Sequence, residues 1–174
     1  MEGFLNPSEV LKQLRLKKDM TAADFGSGPG GWTIPLAKIL EDGLVYAIDI
    51  LKAPLSVLEG TARLQNIRNI KTIISNVEKN YGSTLPDSSV DLVLMSNLLF
   101  QSEKQKEIFA EAKRILKIGG KVLVIDWKED SPVGPAQGRV SLNEVKEMAK
   151  MVGLKLEKEF EAGIYHFGLV FVKT

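Results

Sequence analysis

Short apolar runs alternate with amphipathic segments along nearly the whole chain. The segments between the runs repeat their apolar residues at helical spacing, most clearly over 105–117. Regular alternation of strand and helix is typical of a parallel sheet with helices on both faces. The runs predict seven strands, at 20–25, 44–49, 70–75, 90–96, 121–127, 154–160 and 165–173.

Helix boundaries are marked by capping residues and glycines. Asn6 is the predicted N-cap of a first helix, and the proline after it takes the first helical position. This start predicts a short helix that carries Val10, Leu11 and Leu14 on one face. Ser141 begins a capping box. The pattern predicts further helices over 32–40 and 54–65, and it predicts that Gly119-Gly120 ends the helix over 105–117.

The last two predicted strands are separated by a short glycine-containing loop. Such a loop is too short for a crossover and predicts an antiparallel hairpin. With 174 residues and no linker or repeat, the chain is expected to form a single domain over 1–174. The fold class is therefore α/β, with a doubly wound, mostly parallel sheet.

The amino-acid composition excludes several kinds of functional site. The chain has no cysteine, which excludes a thiolate nucleophile, a disulfide and a cysteine metal site. A net charge of +1 favours no class of partner. No run reaches the roughly 18 apolar residues of a membrane span and no apolar signal segment is evident, so a cytoplasmic location without membrane association is the expectation.

A glycine-rich turn follows the first predicted strand and precedes a helix. It contains Gly26, Ser27, Gly28, Gly30 and Gly31. Glycine has no Cβ atom, so a turn with this many glycines lets the backbone pass close to a ligand. A turn between a strand and a helix indicates that the ligand is nucleotide-like. The spacing also matches the dinucleotide fingerprint, which leaves NAD(P) as one candidate ligand.

The form Asp-x-Gly-x-Gly-x-Gly, beginning at Asp24, resembles motif I of the class I S-adenosylmethionine (SAM)-dependent methyltransferases. The resemblance extends from about Asn6 to Val172 and implies strand order 3-2-1-4-5-7-6. It implies that Asp24 acts at the methionine end of SAM and that Asp49, at the end of the second strand, accepts the ribose hydroxyls. The whole cofactor set that it implies is Asp24, Gly26, Ser27, Gly28, Gly30, Asp49, Ile50, Asn76, Val77, Ser96, Asn97 and Leu98.

The segment after the fourth strand argues against several acceptor classes. It keeps Asn97 and Phe100 but lacks the prolines typical of adenine and glutamine amino methyltransferases. Ser96 stands where many RNA ribose methyltransferases carry aspartate, and it leaves the acid set of metal-dependent catechol enzymes incomplete. Pyrimidine C5 and arsenite methyltransferases need cysteines. No metal is expected.

Acceptor-side candidates cluster near the fifth and seventh strands. His166 and Asp126 are candidate catalytic residues, and His166 is the chain's one histidine. Trp127, Arg139 and Tyr165 are candidate substrate-binding residues. We expect the loop 128–140 to cover the acceptor and Arg139 to pair with an anionic group on it.

The resemblance implies methyl transfer to an acceptor that releases S-adenosylhomocysteine (SAH). RNA, protein and small-molecule acceptors all fit the scaffold, and the oligomeric state stays open. Two alternatives remain at this point. One is a non-catalytic SAM-binding or partner-binding protein, and the other is an NAD(P)-binding oxidoreductase.

Overall fold

The computed structural model describes residues 5–174, and their strands form one seven-stranded sheet of order β3-β2-β1-β4-β5-β7-β6. Only β7 runs antiparallel to its neighbours, so the predicted fold is confirmed. In chain order the elements are α1 (Pro7–Leu11), β1 (Thr21–Phe25), α2 (Thr33–Ile39), β2 (Leu44–Asp49), α3 (Lys52–Leu64), β3 (Ile70–Ile74), β4 (Val90–Ser96), a 3-10 turn (Leu99–Gln101), α4 (Gln105–Ile115), β5 (Leu116–Trp127), α5 (Leu142–Met151), β6 (Leu154–Glu161) and β7 (His166–Lys173).

Helices cover both faces of the central strands. On one face α4 and α5 pack against the sheet, and Phe109 meets Phe171 of β7 edge-on at a centroid distance of 6.2 Å. On the other face α1 and α2 bury Leu11 and Leu36. Burial on both faces explains why β1 and β4 read as continuous apolar runs rather than alternating ones.

The prediction that Gly119-Gly120 ends α4 is wrong. The helix already ends at Ile115, because Leu116 is fully buried and pairs in extended conformation with Val90 of β4. The glycines lie inside β5, where the register shifts and the next pair is Leu92 with Lys121. Gly119 has a φ of +79° and accommodates this irregularity. The first helix is also shorter than predicted, and Leu14 packs beyond its end.

The topology brings the chemically interesting segments to one edge of the sheet. Because β1, β2, β4 and β5 are parallel, their carboxyl ends lie along the same edge. Antiparallel β7 begins at that edge, where His166 pairs with Trp127. Ligands of open α/β sheets bind at this edge, near the point where the strand order reverses.

Gly30 provides a test of the packing beneath the glycine-rich turn. A Cβ at Gly30 would lie 2.3 Å from Cδ1 of the buried Leu58, and the residue has a φ of +96°. We expect Gly30→Ala to lower the free energy of unfolding by about 1–3 kcal/mol, measured by urea denaturation. Gly31→Ala is the control, because a Cβ there meets no atom within 4 Å. Equal stability of the two variants would contradict this packing.

Candidate active site

The glycine-rich turn is anchored to the neighbouring strand. The N–H groups of Gly26 and Ser27 both donate to the carbonyl of Ile48, at 2.8 and 3.1 Å. Gly26 and Gly28 have φ values of +70° and +53°, conformations that disfavour side chains. A Cβ at Gly28 would meet nothing within 4 Å, so the turn leaves open space above its backbone.

Asp49 joins the turn to the end of β2. Its Oδ2 accepts a hydrogen bond from the Gly28 N–H, and its Oδ1 accepts one from the Leu51 N–H, both at 2.9 Å. An ionised carboxylate has about four acceptor positions, so two of them stay available to a ligand. Asp49 therefore fixes the turn and can also accept hydroxyl groups.

A cavity of about 370 Å³ opens above these groups. Seven residues of the predicted cofactor set line it, namely Gly26, Gly28, Asp49, Ile50, Asn76, Val77 and Leu98. The carbonyl oxygen of the Asn76 side chain accepts the Glu78 N–H at 2.8 Å, so it shapes the turn after β3. The cavity thus has apolar walls with a few polar groups at its floor, as ligand sites usually have.

The other predicted cofactor residues lie beneath or beside the cavity. Gly30 packs against α3, and Asp24 is 2% exposed, with its Oδ2 accepting the Thr33 hydroxyl at 2.6 Å. Burial raises the pKa of Asp24 to about 7, against the effect of the Thr33 hydrogen bond and with a smaller contribution from the charge of Asp49. Among the predicted cofactor residues, three buried side-chain atoms have no hydrogen-bond partner within residues 5–174, namely Ser27 Oγ, Ser96 Oγ and Asn97 Oδ1.

Asp126, a predicted catalytic residue, is fully buried at the end of β5. Its carboxylate accepts backbone N–H groups from Trp127 at 2.8 Å and Leu99 at 3.1 Å, and a further one from Phe100. Burial raises its pKa to about 6, opposed by these hydrogen bonds. The carboxylate has no exposed surface and its oxygens accept backbone N–H groups, so in the structure it supports the turn. A catalytic role for Asp126 stays a prediction.

His166 is 5% exposed and its ring lies 4.0 Å from that of Trp127, centroid to centroid. Neither ring nitrogen has a hydrogen-bond partner within residues 5–174. Burial, and to a lesser extent the charge of Lys128, lowers the pKa of His166 to about 4. The imidazole is thus neutral at pH 7 and offers one donor and one acceptor.

The loop 128–140 is folded around the guanidinium of Arg139. This group donates to the carbonyls of Lys128, Glu129, Ser131, Val133 and Pro135 at 2.7–3.3 Å. Because a guanidinium has five N–H groups, little donor capacity remains for an acceptor. The guanidinium of Arg139 thus holds the loop together, and its pairing with an anionic acceptor stays a prediction.

Trp127 is half-buried at the end of β5. A Cβ at Gly134 would lie 2.6 Å from the indole, and His166 packs on the same ring system. Tyr165 is half-buried at the start of β7, and its carbonyl accepts the Lys128 N–H at 2.9 Å. These contacts bring the predicted acceptor-side residues together at the carboxyl end of β5 and the start of β7.

Comparison with known proteins decides the family. The family described as "Methyltransferase domain" matches residues 16–163. The chain belongs to the methyltransferase domain family. A solved SAM-dependent methyltransferase from Aquifex aeolicus is 29% identical, with a TM-score of 0.88 over 98% of this chain and 90% of that one. This family and the antiparallel β7 separate the chain from NAD(P)-dependent oxidoreductases.

Curated relatives of this methyltransferase domain include two demethylmenaquinone methyltransferases. The Geobacillus sp. protein is 28% identical over 127 residues, which are 72% of this chain and 53% of the relative. The Bacillus mycoides protein is 27% identical over 135 residues, 76% and 55% of the two chains. The chain therefore spans about half the length of the curated relatives it matches. The [4+2]-cyclase SpnF, 14% identical with a TM-score of 0.82, shares the fold alone.

The residues that this methyltransferase domain presents are chemically compatible with SAM. Open space above Gly28 leaves room for a ligand against the backbone, and Asp49 keeps acceptor positions for ribose hydroxyls. The unpartnered atoms of Ser27, Ser96 and Asn97 follow β1 and β4, where polar groups of the methionine portion can satisfy them. Within residues 5–174, no group of three potential ligands from histidine, aspartate and glutamate is placed to hold a metal ion.

Several site residues were missed by the sequence reasoning. Gln101 and Ser102 line the cavity from the turn after β4, and Thr33 is the hydroxyl bound to Asp24. A usable signal existed only for Thr33, which is polar but begins the apolar α2 directly after the glycine-rich turn. Gln101 and Ser102 reach the cavity through a tight turn that periodicity does not predict.

The raised pKa of Asp24 gives the stability a pH dependence. Between about pH 4 and pH 7 the folded state binds more protons at this carboxyl group than the unfolded state, so Asp24 makes the fold less stable as pH rises through that range. Asp24→Asn keeps an acceptor for Thr33 but cannot ionise. Its free energy of unfolding relative to wild type should rise by about 2–3 kcal/mol from pH 5 to pH 8.

Urea denaturation at the two pH values measures this difference. The matched control is Asp19→Asn, at an exposed aspartate before β1, for which we expect no comparable change. A pH-independent difference between Asp24→Asn and wild type would show that Asp24 is ionised throughout this range.

Proposed function

We propose that this protein transfers the methyl group of SAM to a small organic acceptor and releases SAH. The observation that carries the proposal is the meeting of two strand ends below the cavity. There Asp49 of β2 holds the N–H of Gly28 at 2.9 Å, and no side chain blocks the space above that glycine. A backbone turn beside a carboxylate is the arrangement that binds an adenosine-containing ligand at a sheet edge.

The cofactor half of the site would be held by groups already in place. Asp49 would accept the ribose hydroxyls, while Ile50 and Val77 would enclose the adenine with their apolar surfaces. Ser27 and the residues ending β4 would bind the methionine portion through polar atoms that now lack partners. SAM supplies a methyl group already activated by its sulfonium, so the protein's main task is to orient the reactants and exclude water.

The acceptor half of the site is proposed to lie at the carboxyl ends of β4 and β5 and at the start of β7. The loop 128–140 packs there against Trp127 and the Phe100 carbonyl, so the loop is held beside the strand ends. The names of the curated relatives, demethylmenaquinone methyltransferases, also support a small organic acceptor rather than RNA or a protein.

His166 is the proposed general base of this half. Its imidazole is neutral at pH 7 and buried, and its two nitrogens lack partners within residues 5–174. A buried imidazole gains stability from a hydrogen bond, which a hydroxyl or amine on the acceptor would supply. The unprotonated ring nitrogen, which accepts that hydrogen bond, can then take up the proton that the acceptor atom loses on methylation.

The cofactor assignment is tested by calorimetry with SAM, SAH and NAD. Wild type should bind SAM and SAH but not NAD, and Asp49→Ala should weaken SAH binding at least tenfold, because it removes the carboxylate and releases Gly28. Asp19→Ala, at the opposite edge of the sheet, should bind SAH normally. Binding of NAD without SAM or SAH would contradict the proposed function.

The state of His166 is tested by NMR, which is simple because the chain has one histidine. Its imidazole should titrate near pH 4, and Trp127→Ala should move the titration toward the ordinary value near 6.5, because the variant exposes the ring. As a control, Trp32→Phe alters the other tryptophan, in α2's N-cap, and should leave the titration unchanged. Titration of wild type near 6.5 would show that the imidazole is not buried as described.

A further inference from the structure

The buried carboxylate of Asp126 accepts hydrogen bonds from groups on both the cofactor side and the acceptor side of the site. Its Oδ1 binds the N–H of Trp127, the last residue of its own strand, and its Oδ2 binds the N–H of Leu99. Leu99 lies 27 residues earlier in the chain, in the turn after β4. Charge-assisted hydrogen bonds of this kind are about twice as strong as neutral ones, so the carboxylate ties the turn firmly to the end of β5.

The turn held by Asp126 forms part of the cofactor cavity. Leu98, Gln101 and Ser102 line the cavity, and they flank or belong to the segment whose N–H groups the carboxylate binds. Leu98 also packs on the glycine-rich turn, since a Cβ at Gly26 would lie 2.9 Å from its Cδ1. Any displacement of this wall must therefore strain the hydrogen bonds to Asp126.

The same turn supports the acceptor-side loop. A Cβ at Gly138 would lie 2.4 Å from the carbonyl oxygen of Phe100, so the two backbones are in close contact. Arg139, the next residue, binds five carbonyls of the loop and makes it a single folded unit. The other end of the loop follows Trp127, whose N–H is also bound by Asp126.

We propose that Asp126 is a positioning residue that couples the cofactor cavity to the acceptor-side loop. It does so by holding the turn 98–101 against the end of β5, so that cofactor binding and the placement of the loop depend on one another. This inference rests on the proposed function, because SAH serves as the probe of the cavity. The role proposed for Asp126 is distinct from general-base chemistry, which the buried carboxylate is not placed to perform.

The test compares Asp126→Asn with Asp91→Asn. Asp91 is a matched control, because its carboxylate also binds a backbone N–H, that of Thr21 at 2.8 Å, but at the opposite edge of the sheet. In Asp126→Asn one carboxylate oxygen becomes a donor, so the N–H groups of the turn lose an acceptor. Three quantities are measured at pH 8: SAH affinity by calorimetry, amide hydrogen exchange, and NMR shifts on adding SAH.

Asp126→Asn should weaken SAH binding about three- to tenfold, whereas Asp91→Asn should not. In wild type, SAH should shift the amide signals of Gly134 and Gly138, which do not line the cofactor cavity, and in Asp126→Asn these shifts should shrink. Without any ligand, the amides of Leu99, Phe100 and Gly138 should exchange about tenfold faster in Asp126→Asn than in Asp91→Asn. Equal behaviour of the two variants in exchange and SAH binding would overturn the inference.

The experiment distinguishes failure of the proposed function from failure of the coupling through Asp126. Failure of wild type to bind SAH would refute the proposed function, while the exchange comparison would still decide whether Asp126 holds the turn and loop. Should Asp126→Asn not fold, Gly138→Ala disturbs the loop at its contact with Phe100, and Gly119→Ala serves as its control because both glycines have a φ of +79°. Weaker SAH binding in Gly138→Ala alone supports the coupling, and unchanged binding in both overturns it.

Discussion

The site depends on the hydrogen bond between the Gly28 N–H and the Asp49 carboxylate. It joins the ends of β1 and β2 at the edge of the sheet and fixes a backbone turn whose conformation favours glycine. The turn leads into α2, which brings Thr33 to Asp24, and it packs against α3, whose Leu58 fills the space beside Gly30. The cavity is thus a consequence of how two neighbouring strands are connected.

Two buried carboxylates lie along the same sheet edge, and no ion pair of residues 5–174 includes either of them. Asp24 is bound to a neutral hydroxyl and Asp126 to backbone N–H groups, and burial raises both pKa values. Burying a charge without a counter-ion lowers stability, so such groups are retained mainly at functional sites. SAM is cationic at its sulfonium and amino groups, so its binding would favour the ionised form of carboxylates nearby.

The sequence predicted the fold well because strand and helix alternate regularly and the final loop allows only a hairpin. The parallel strands also placed the glycine-rich turn and Asp49 at one edge of the sheet, but the hydrogen bond between Gly28 and Asp49 was not predicted. The roles of Arg139 and Asp126 were beyond sequence reasoning, because their partners converge only in the folded loop and turn. Gly119 misled the prediction because glycine suits both a helix end and an irregular strand, and the pairing of Leu116 with Val90 decided between them.

Similarity to known proteins establishes the family and the fold of the chain but not its acceptor. The family and fold follow from the match over residues 16–163 and from the sheet order. The small organic acceptor is a proposal that rests on local geometry and on the names of the curated relatives. The fold shared with a [4+2]-cyclase illustrates that this scaffold serves more than one chemistry. Within the described part of the chain, residues 5–174, no helix is long and apolar enough to cross a membrane.

The most direct measurement is transfer of a labelled methyl group. Purified protein is incubated with methyl-labelled SAM and cell extract, which is then separated into RNA, protein, lipid and small-molecule fractions. We expect label in the small-molecule fraction, formation of SAH, and loss of both in Asp49→Ala. Label confined to RNA or protein would contradict the small acceptor, and absence of transfer in every fraction, with SAH binding intact, would contradict the proposed enzyme.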